Sequence, residues 1–269
     1  MTNLAPFSLW SRFLALPNDS RTKTLGIAFL VALVSATAVS VTSVALRPRQ
    51  EAHVAALREA KLATMIATLP GLADILRATG AETLQTVIVD LAEGAVATGI
   101  DPGSYDFLTA QTDTAQTVAL TTGQDIAGIG RRPHYAPVFL LRGDDGLALV
   151  VLPVYGTGYQ STIRAYLALF SDLNSIAGLS IYEQGETPGL GSRITDPAWQ
   201  ARWADRDAVD PSGEVVITVV RGKATGPTEV DGIAGATRSA TGVAQLVRFW
   251  LGPDGFGPFL TRLRSGEGE

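Results

Sequence analysis

Ala136-Pro-Val-Phe-Leu-Leu-Arg142 and Leu147-Ala-Leu-Val-Val-Leu-Pro-Val154 are two apolar runs joined by Gly143-Asp-Asp-Gly146. Each run has the length of a strand, and the linker between them is rich in turn residues, so the pair reads as a β-hairpin. Working outward, residues 86–91 (TVIVDL) and 179–183 read as further strands, and residues 215–220 (VVITVV) as a buried one. Residues 161–170 read as a helix and residues 199–203 as a short one. Val243, Leu246, Val247, Trp250 and Leu251 recur at the i, i+3, i+4, i+7, i+8 spacing of an amphipathic helix. Residues 92–131, rich in Gly, Thr and Asp, read as loop. Hairpins mixed with helices point to an α+β fold rather than a wound parallel sheet.

Towards the N-terminus, residues 25–46 (LGIAFLVALVSATAVSVTSVAL) carry no charge and no proline. As a helix this run is roughly 33 Å long, enough for a hydrocarbon layer of about 30 Å. It exceeds the apolar core of a cleavable signal peptide, roughly 7–15 residues. Its only polar members are Ser and Thr, whose hydroxyls can bond back to the helix. The expected organisation is an N-terminal segment over residues 1–23, a transmembrane helix over 24–46, and one domain over 47–269. Arg12, Arg21 and Lys23 precede the span, and Arg47, Arg49, Arg58 and Lys61 follow it, so positive charge does not orient it. Phe7, Trp10, Phe13 and Leu14 stand at helical spacing, which suits either a segment lying on the bilayer surface or a frayed terminus. Residues 50–68 read as an amphipathic helix that Pro70-Gly71 ends.

Composition removes several classes of function. The chain has 269 residues, a formal charge of -5 and no cysteine. Disulfides, thiolate metal sites and cysteine nucleophiles are excluded, and a broad nucleic-acid surface is disfavoured. With only His53 and His134, no histidine-rich metal site can form, and no metal ligand set is expected. Gly156-Thr-Gly158 and Gly189-Leu-Gly191 lack the third glycine of a dinucleotide fingerprint, and no Walker A or G-x-S-x-G motif occurs.

The chemistry concentrates in Val230-Asp-Gly-Ile-Ala-Gly-Ala-Thr-Arg-Ser-Ala-Thr-Gly-Val243. Glycines and alanines make a slim backbone that leads into the last amphipathic helix. Thr237 is expected just before that helix, with Ser239 or Thr241 as N-cap. Unpaired N–H groups and the positive end of the helix dipole suit a phosphate carried on Thr237, and Arg238 can add a charge-assisted contact. Read bare, a glycine-rich turn before a helix is usually only a turn.

Asp231-Gly-Ile-Ala-Gly235-Ala236-Thr237 resembles the motif at which a flavin transferase attaches FMN to a threonine through a phosphoester. Leu16-Pro-Asn-Asp-Ser20, the stretch around Gly156 and Gly158, Tyr182-Glu-Gln-Gly-Glu186-Thr187-Pro188-Gly189-Leu190-Gly191, Asp196-Pro197 to Trp203, Phe249-Trp-Leu-Gly252 and Gly255-Phe-Gly-Pro-Phe-Leu260 extend the resemblance nearly end to end. Together they resemble the NqrC family, the C subunits of bacterial Na+-translocating NADH:quinone reductases, whose FMN-binding domain is shared with the G subunit of the related Rnf complex.

The resemblance implies a single transmembrane helix followed by one extracytoplasmic FMN-binding domain, periplasmic and anchored in the inner membrane. It implies covalent FMN on Thr237, with Asp231, Gly235 and Ala236 forming the attachment loop. Glu186, Thr187, Gly189 and Leu190 would form a second wall, joined by Ser161 and Thr162. Lys223 and Arg193 are candidate phosphate counter-ions. No residue is expected to be catalytic, because the flavin would be the reactive centre. It would relay electrons between an iron centre and another FMN-bearing subunit on the way to quinone, with Na+ export performed by the whole complex. The implied partners are the other subunits, a flavin transferase during maturation, and the lipid bilayer. The alternatives are an Rnf G-type flavoprotein subunit and a membrane-anchored binding module without a cofactor.

Overall fold

A computed structural model describes residues 14, 15, 17, 20–42, 44, 84–143 and 146–266. The segment around Phe7, the helix expected over residues 50–68, the expected boundary at 46/47 and Asp144-Asp145 of the hairpin turn lie outside the described residues. The chain divides into two compact units, Met1–Glu59 and Ala60–Glu269.

Among the described residues of the first unit, the helix Arg21–Thr42, of 22 residues, is long and apolar enough to cross a membrane. Three of its threonines bond back to the backbone, as expected for hydroxyls in such a helix. Thr24, Thr37 and Thr42 donate their hydroxyls to the carbonyls of Ser20, Leu33 and Ala38 at 3.2, 2.7 and 2.8 Å.

The second unit is built on a seven-stranded sheet. Its strands are β1 (Leu84–Asp90), β2 (Ala95–Val96), β5 (Tyr135–Gly143), β6 (Gly146–Thr157), β7 (Thr162–Phe170), β8 (Ser175–Glu183) and β9 (Arg206–Asp207). They lie in the order β2-β1-β5-β6-β7-β8-β9, and every neighbouring pair is antiparallel. The hairpin expected from residues 136–154 is β5–β6. Between β2 and β5, where loop was expected, the chain forms a short helix, Phe107–Thr112, and the strands β3 (Thr117–Ala119) and β4 (Arg131–Pro133), which pair with each other. Asp106 accepts from the amides of Leu108 and Thr109 and so fixes the start of that helix.

Residues 162–170 are a strand, not the helix expected. β7 lies between β6 and β8, so both of its edges are paired, and its side chains enter apolar clusters on both faces. Ile163, Ala165, Leu167 and Leu169 join the main core, while Tyr166 and Ala168 join a second apolar cluster with Leu149, Val151 and Ala177. A strand buried on both sides loses the polar–apolar alternation that would betray it. The run expected as a strand over 215–220 is also corrected. Only Thr218–Val220 (β10) is a strand, and it pairs in parallel with β11 (Glu229–Asp231), outside the main sheet.

The main face of the sheet is covered by the helix Thr237–Leu251, through Val243, Leu246, Val247 and Trp250. Trp250 Nε1 donates to the Tyr155 carbonyl at 2.7 Å, which joins the helix to β6 inside the core. A last helix, Gly257–Arg264, buries Phe259 and Leu260 beside Phe256. The small β10–β11 pair then has one positional consequence: it delivers the chain at Asp231 to the start of the long helix.

Candidate functional site

Asp231 ends β11 and is held from three sides. Its Oδ1 accepts from the Ala224 amide at 2.7 Å, its carbonyl accepts from Trp199 Nε1 at 2.8 Å, and its Oδ2 pairs with Arg202. The Ala224 amide bond, with Arg202 beside it, holds the Asp231 carboxyl below the usual range despite the opposing effect of burial. Beyond it the Ala236 amide donates to the Ile233 carbonyl at 3.0 Å, and the Arg193 guanidinium donates to the Ala234 carbonyl at 3.2 Å. Gly235 takes φ +81°, a left-handed conformation that side chains disfavour. The chain can therefore turn sharply into the helix at that point.

The helix begins at Thr237 itself, earlier than the sequence suggested, and Ala236 occupies the N-cap position without a side-chain cap bond. Ser239 and Thr241 are therefore not the caps. The Ser239 hydroxyl is buried and donates instead to Glu186 Oε2 at 2.6 Å. Thr237 and Arg238 are exposed. An accessible hydroxyl thus stands at the positive end of a 15-residue helix whose cap residue supplies no acceptor. A negative group at such a position is stabilised by about 0.3–1 kcal/mol.

The turn over residues 187–192 faces this point. The Thr187 carbonyl accepts from the amides of Leu190 and Ser192, both at 3.1 Å, and the Gly189 amide donates to Ser192 Oγ at 3.0 Å. That folding pushes Leu190 outward, and a Cβ placed on Gly235 would lie 3.7 Å from Leu190 Cδ2. Leu190 and Tyr159 are each 53% exposed, more than any other large apolar residue described in this unit. The Arg238 guanidinium lies over the Tyr159 ring, 5.0 Å from its centre. Leu190 thus lies beside the loop that precedes the threonine, and Tyr159 beside the residue that follows it.

Two residues expected to line the wall lie beneath it instead. Glu186 is only 3% exposed. Its carboxylate accepts from the amides of Tyr159, Gln160 and Ser161 and from the hydroxyls of Ser161 and Ser239. Burial alone would raise its pKa, but these bonds outweigh burial and hold it below the usual range. Ser161 Oγ is also engaged, accepting from the Gly185 amide at 2.7 Å. Thr162 stands exposed at the start of β7.

On another side of Thr237 a cleft of about 560 Å³ is lined by Arg202, Arg221, Lys223, Asp231 and Ala234. Lys223 was expected as a counter-ion. Arg221, Arg202 and Tyr159 were not, and nothing in their local sequence marks them, because they reach the site from separate segments. Among the described residues no group of three His, Asp or Glu side chains could hold a metal ion. The arrangement offers a free alcohol, cations and a helix N-terminus for a phosphate, and apolar side chains for a flat ring. FMN fits each of these.

Comparison with known proteins agrees. The FMN-binding domain family matches residues 158–252. The C subunit of the Na(+)-translocating NADH-quinone reductase of Pseudomonas aeruginosa is 40% identical over 93% of this chain and 98% of its own. The protein of that name from Vibrio parahaemolyticus is 37% identical over 93% and 97%. The crystal structure of Shewanella oneidensis NqrC superposes with a TM-score of 0.65 at 32% identity, covering 72% of this chain and 88% of that one.

Proposed function

The chain belongs to the NqrC family, the C subunits of Na(+)-translocating NADH-quinone reductases, and from that premise we propose that it carries FMN esterified to Thr237 as an electron carrier of the complex. One observation carries the reading: Thr237 is exposed at an uncapped helix start, on the rim of a cationic cleft and two residues after Gly235, which Leu190 approaches.

Bound FMN supplies redox chemistry, and the residues of this chain supply attachment and environment. In the transferase's active site the Thr237 hydroxyl would displace AMP from FAD at the FMN phosphorus, giving its proton to the transferase, and its oxygen would become the ester oxygen. The helix N-terminus, Lys223 and Arg221 balance the phosphate charge. Gly235 and Ala236 keep the approach free of side chains, and Asp231 anchors the loop through Ala224 and Arg202. Leu190, with Thr187 and Gly189 shaping its turn, offers an apolar surface to the ring. Glu186 and Ser161 support that turn from below, and Thr162 borders it.

The wider reading follows the family. The span over 24–46, most of which falls in the Arg21–Thr42 helix, crosses the inner membrane, residues 1–23 are cytoplasmic, and residues 47–269 form the periplasmic flavin domain. A flavin transferase loads the chain. Electrons pass from an iron centre through this flavin to a second FMN-bearing subunit and on to quinone, and the assembled complex exports Na+.

Intact-mass analysis of the full chain, co-expressed with a flavin transferase, tests the attachment. The expected result is one added FMN, localised to the peptide holding Thr237 and absent from Thr237→Ala. An unmodified mass, or a modification retained in Thr237→Ala, overturns the assignment.

A further inference from the structure

The Glu186 carboxylate has a position that the proposed chemistry does not use. It receives the amides of three consecutive residues, Tyr159, Gln160 and Ser161, at 3.2, 3.0 and 3.2 Å. It also receives the Ser161 hydroxyl at 3.2 Å and the Ser239 hydroxyl at 2.6 Å. These donors come from two places: the connection between β6 and β7, and the first turn of the long helix. Glu186 itself directly precedes the turn over residues 187–192 that carries Leu190.

Two glycines make room for it. A Cβ on Gly158 would come within 2.5 Å of Glu186 Oε1, and one on Gly191 within 2.9 Å of Oε2 and 2.6 Å of Ser239 Oγ. Such contacts are shorter than side chains tolerate, so the close approach of the three segments depends on both positions lacking a side chain. The bond between Glu186 and Ser239 is almost fully buried, with Ser239 at 2% exposure and Glu186 at 3%. Ser239 lies two residues beyond Thr237 in the same helical turn.

We infer that Glu186 is a positioning residue, which clamps the Leu190 turn and the Tyr159 connection to the helix turn that bears Thr237, so that a group carried on Thr237 has a single seat. The inference rests on the reading of Thr237 as the flavin acceptor. Without the clamp, the ester oxygen and the apolar surfaces beside it belong to separate loops that can drift apart. With it, Leu190, Tyr159 and Thr237 move as one body. Attachment itself needs only an accessible hydroxyl and its neighbours, so the clamp acts on the ring after loading and not on loading.

The full-length flavinylated protein is the test object, compared with Ser239→Ala and Glu186→Gln. Ser239→Ala removes the helix's bond to the carboxylate and leaves the amide contacts in place. Glu186→Gln sets an N–H₂ group against converging N–H donors. Intact mass should give the same extent of flavin loading in all three. The visible circular dichroism that a fixed flavin acquires from its surroundings should weaken in Ser239→Ala and be lost in Glu186→Gln. Flavin fluorescence anisotropy should fall in the same order. Hydrogen exchange at the amides of residues 159–161 should stay slow in Ser239→Ala, which separates drift of the helix turn from collapse of the connection. Loaded variants with wild-type dichroism and anisotropy would overturn the inference, even with a lowered melting temperature, because that pattern describes a structural tie only. If Glu186→Gln does not fold, Ser239→Ala decides alone. A wild-type protein without flavin would refute the acceptor reading instead, and intact mass reports that separately.

Discussion

The long helix has two unlike ends. At its C-terminus Gly252 caps the last turn, donating its amide to the Phe249 carbonyl at 3.1 Å, and the Phe256 amide returns to the Trp250 carbonyl at 2.6 Å. Trp250, Phe256 and Phe259 are buried there, and Trp250 also packs against Tyr155 at 5.0 Å between ring centres. At its N-terminus the cap position is an alanine with no side-chain acceptor, and Thr237 and Arg238 face water. One end is closed by packing, and the other is left with unspent donors. The difference shows how one element can serve both purposes: the buried end fixes the helix on the sheet, which lets the open end forgo its cap at a cost of about 1 kcal/mol and remain available to a ligand.

The contrast is broken most completely at the open end. Thr237→Ala should abolish covalent flavin while leaving the melting temperature nearly unchanged, since exposed substitutions usually fall within about 0.5 kcal/mol. In-gel fluorescence and a thermal melt together check this. The mirror experiment is Trp250→Ala, which should cost about 3–5 kcal/mol of stability, read from denaturant unfolding, while flavin attachment persists in whatever fraction folds. If Trp250→Ala abolished attachment in folded protein, the division between the two ends would fail. Asp231→Ala comes next. It frees the Ala224 amide and unpairs Arg202, and about 1–3 kcal/mol is expected for a lost charge-assisted bond of this kind. Faster hydrogen exchange at Ala224 is its direct sign.

Acidification sharpens the comparison further. Glu186 and Asp231 both sit on the open side with carboxyls held below their usual values. A depressed folded pKa means that the unfolded chain binds protons first. The stability these groups contribute is complete above their unfolded pKa values, roughly 4, and is lost as pH falls through the lower folded values. Melts from about pH 6 downward should show this slope, and Glu186→Gln should flatten it. The smallest effect belongs to Arg202→Ala. Its guanidinium is half exposed, so about 0–1 kcal/mol is expected, shrinking further in salt.

Much of this was legible in the chain itself. The β5–β6 hairpin announced itself through its turn residues, and the helix face through the spacing of Val243, Leu246, Val247 and Trp250. The acceptor segment was legible only as a motif. What stayed hidden has a physical reason in each case. β7 resembled a helix because strands on both sides and cover on both faces removed its alternation. Ser239 looked like a cap because serine before an apolar run usually is one, but a buried carboxylate 53 residues away took its hydroxyl. The burial of Glu186 was hidden because local sequence does not report it. The cationic cleft draws Arg202 from one segment and Arg221 and Lys223 from another, so no single window of sequence contains it.

On the proposed reading of Thr237 as the flavin's anchor, its exposure has a consequence for electron traffic. Tunnelling weakens steeply with separation, so a carrier sunk behind the sheet would be insulated by the protein around it. One fastened at the margin can be brought almost into touch with a neighbouring redox group on either approach. The same openness admits water and dioxygen, so the speed of hand-over between neighbours, rather than enclosure, must protect the stored electron.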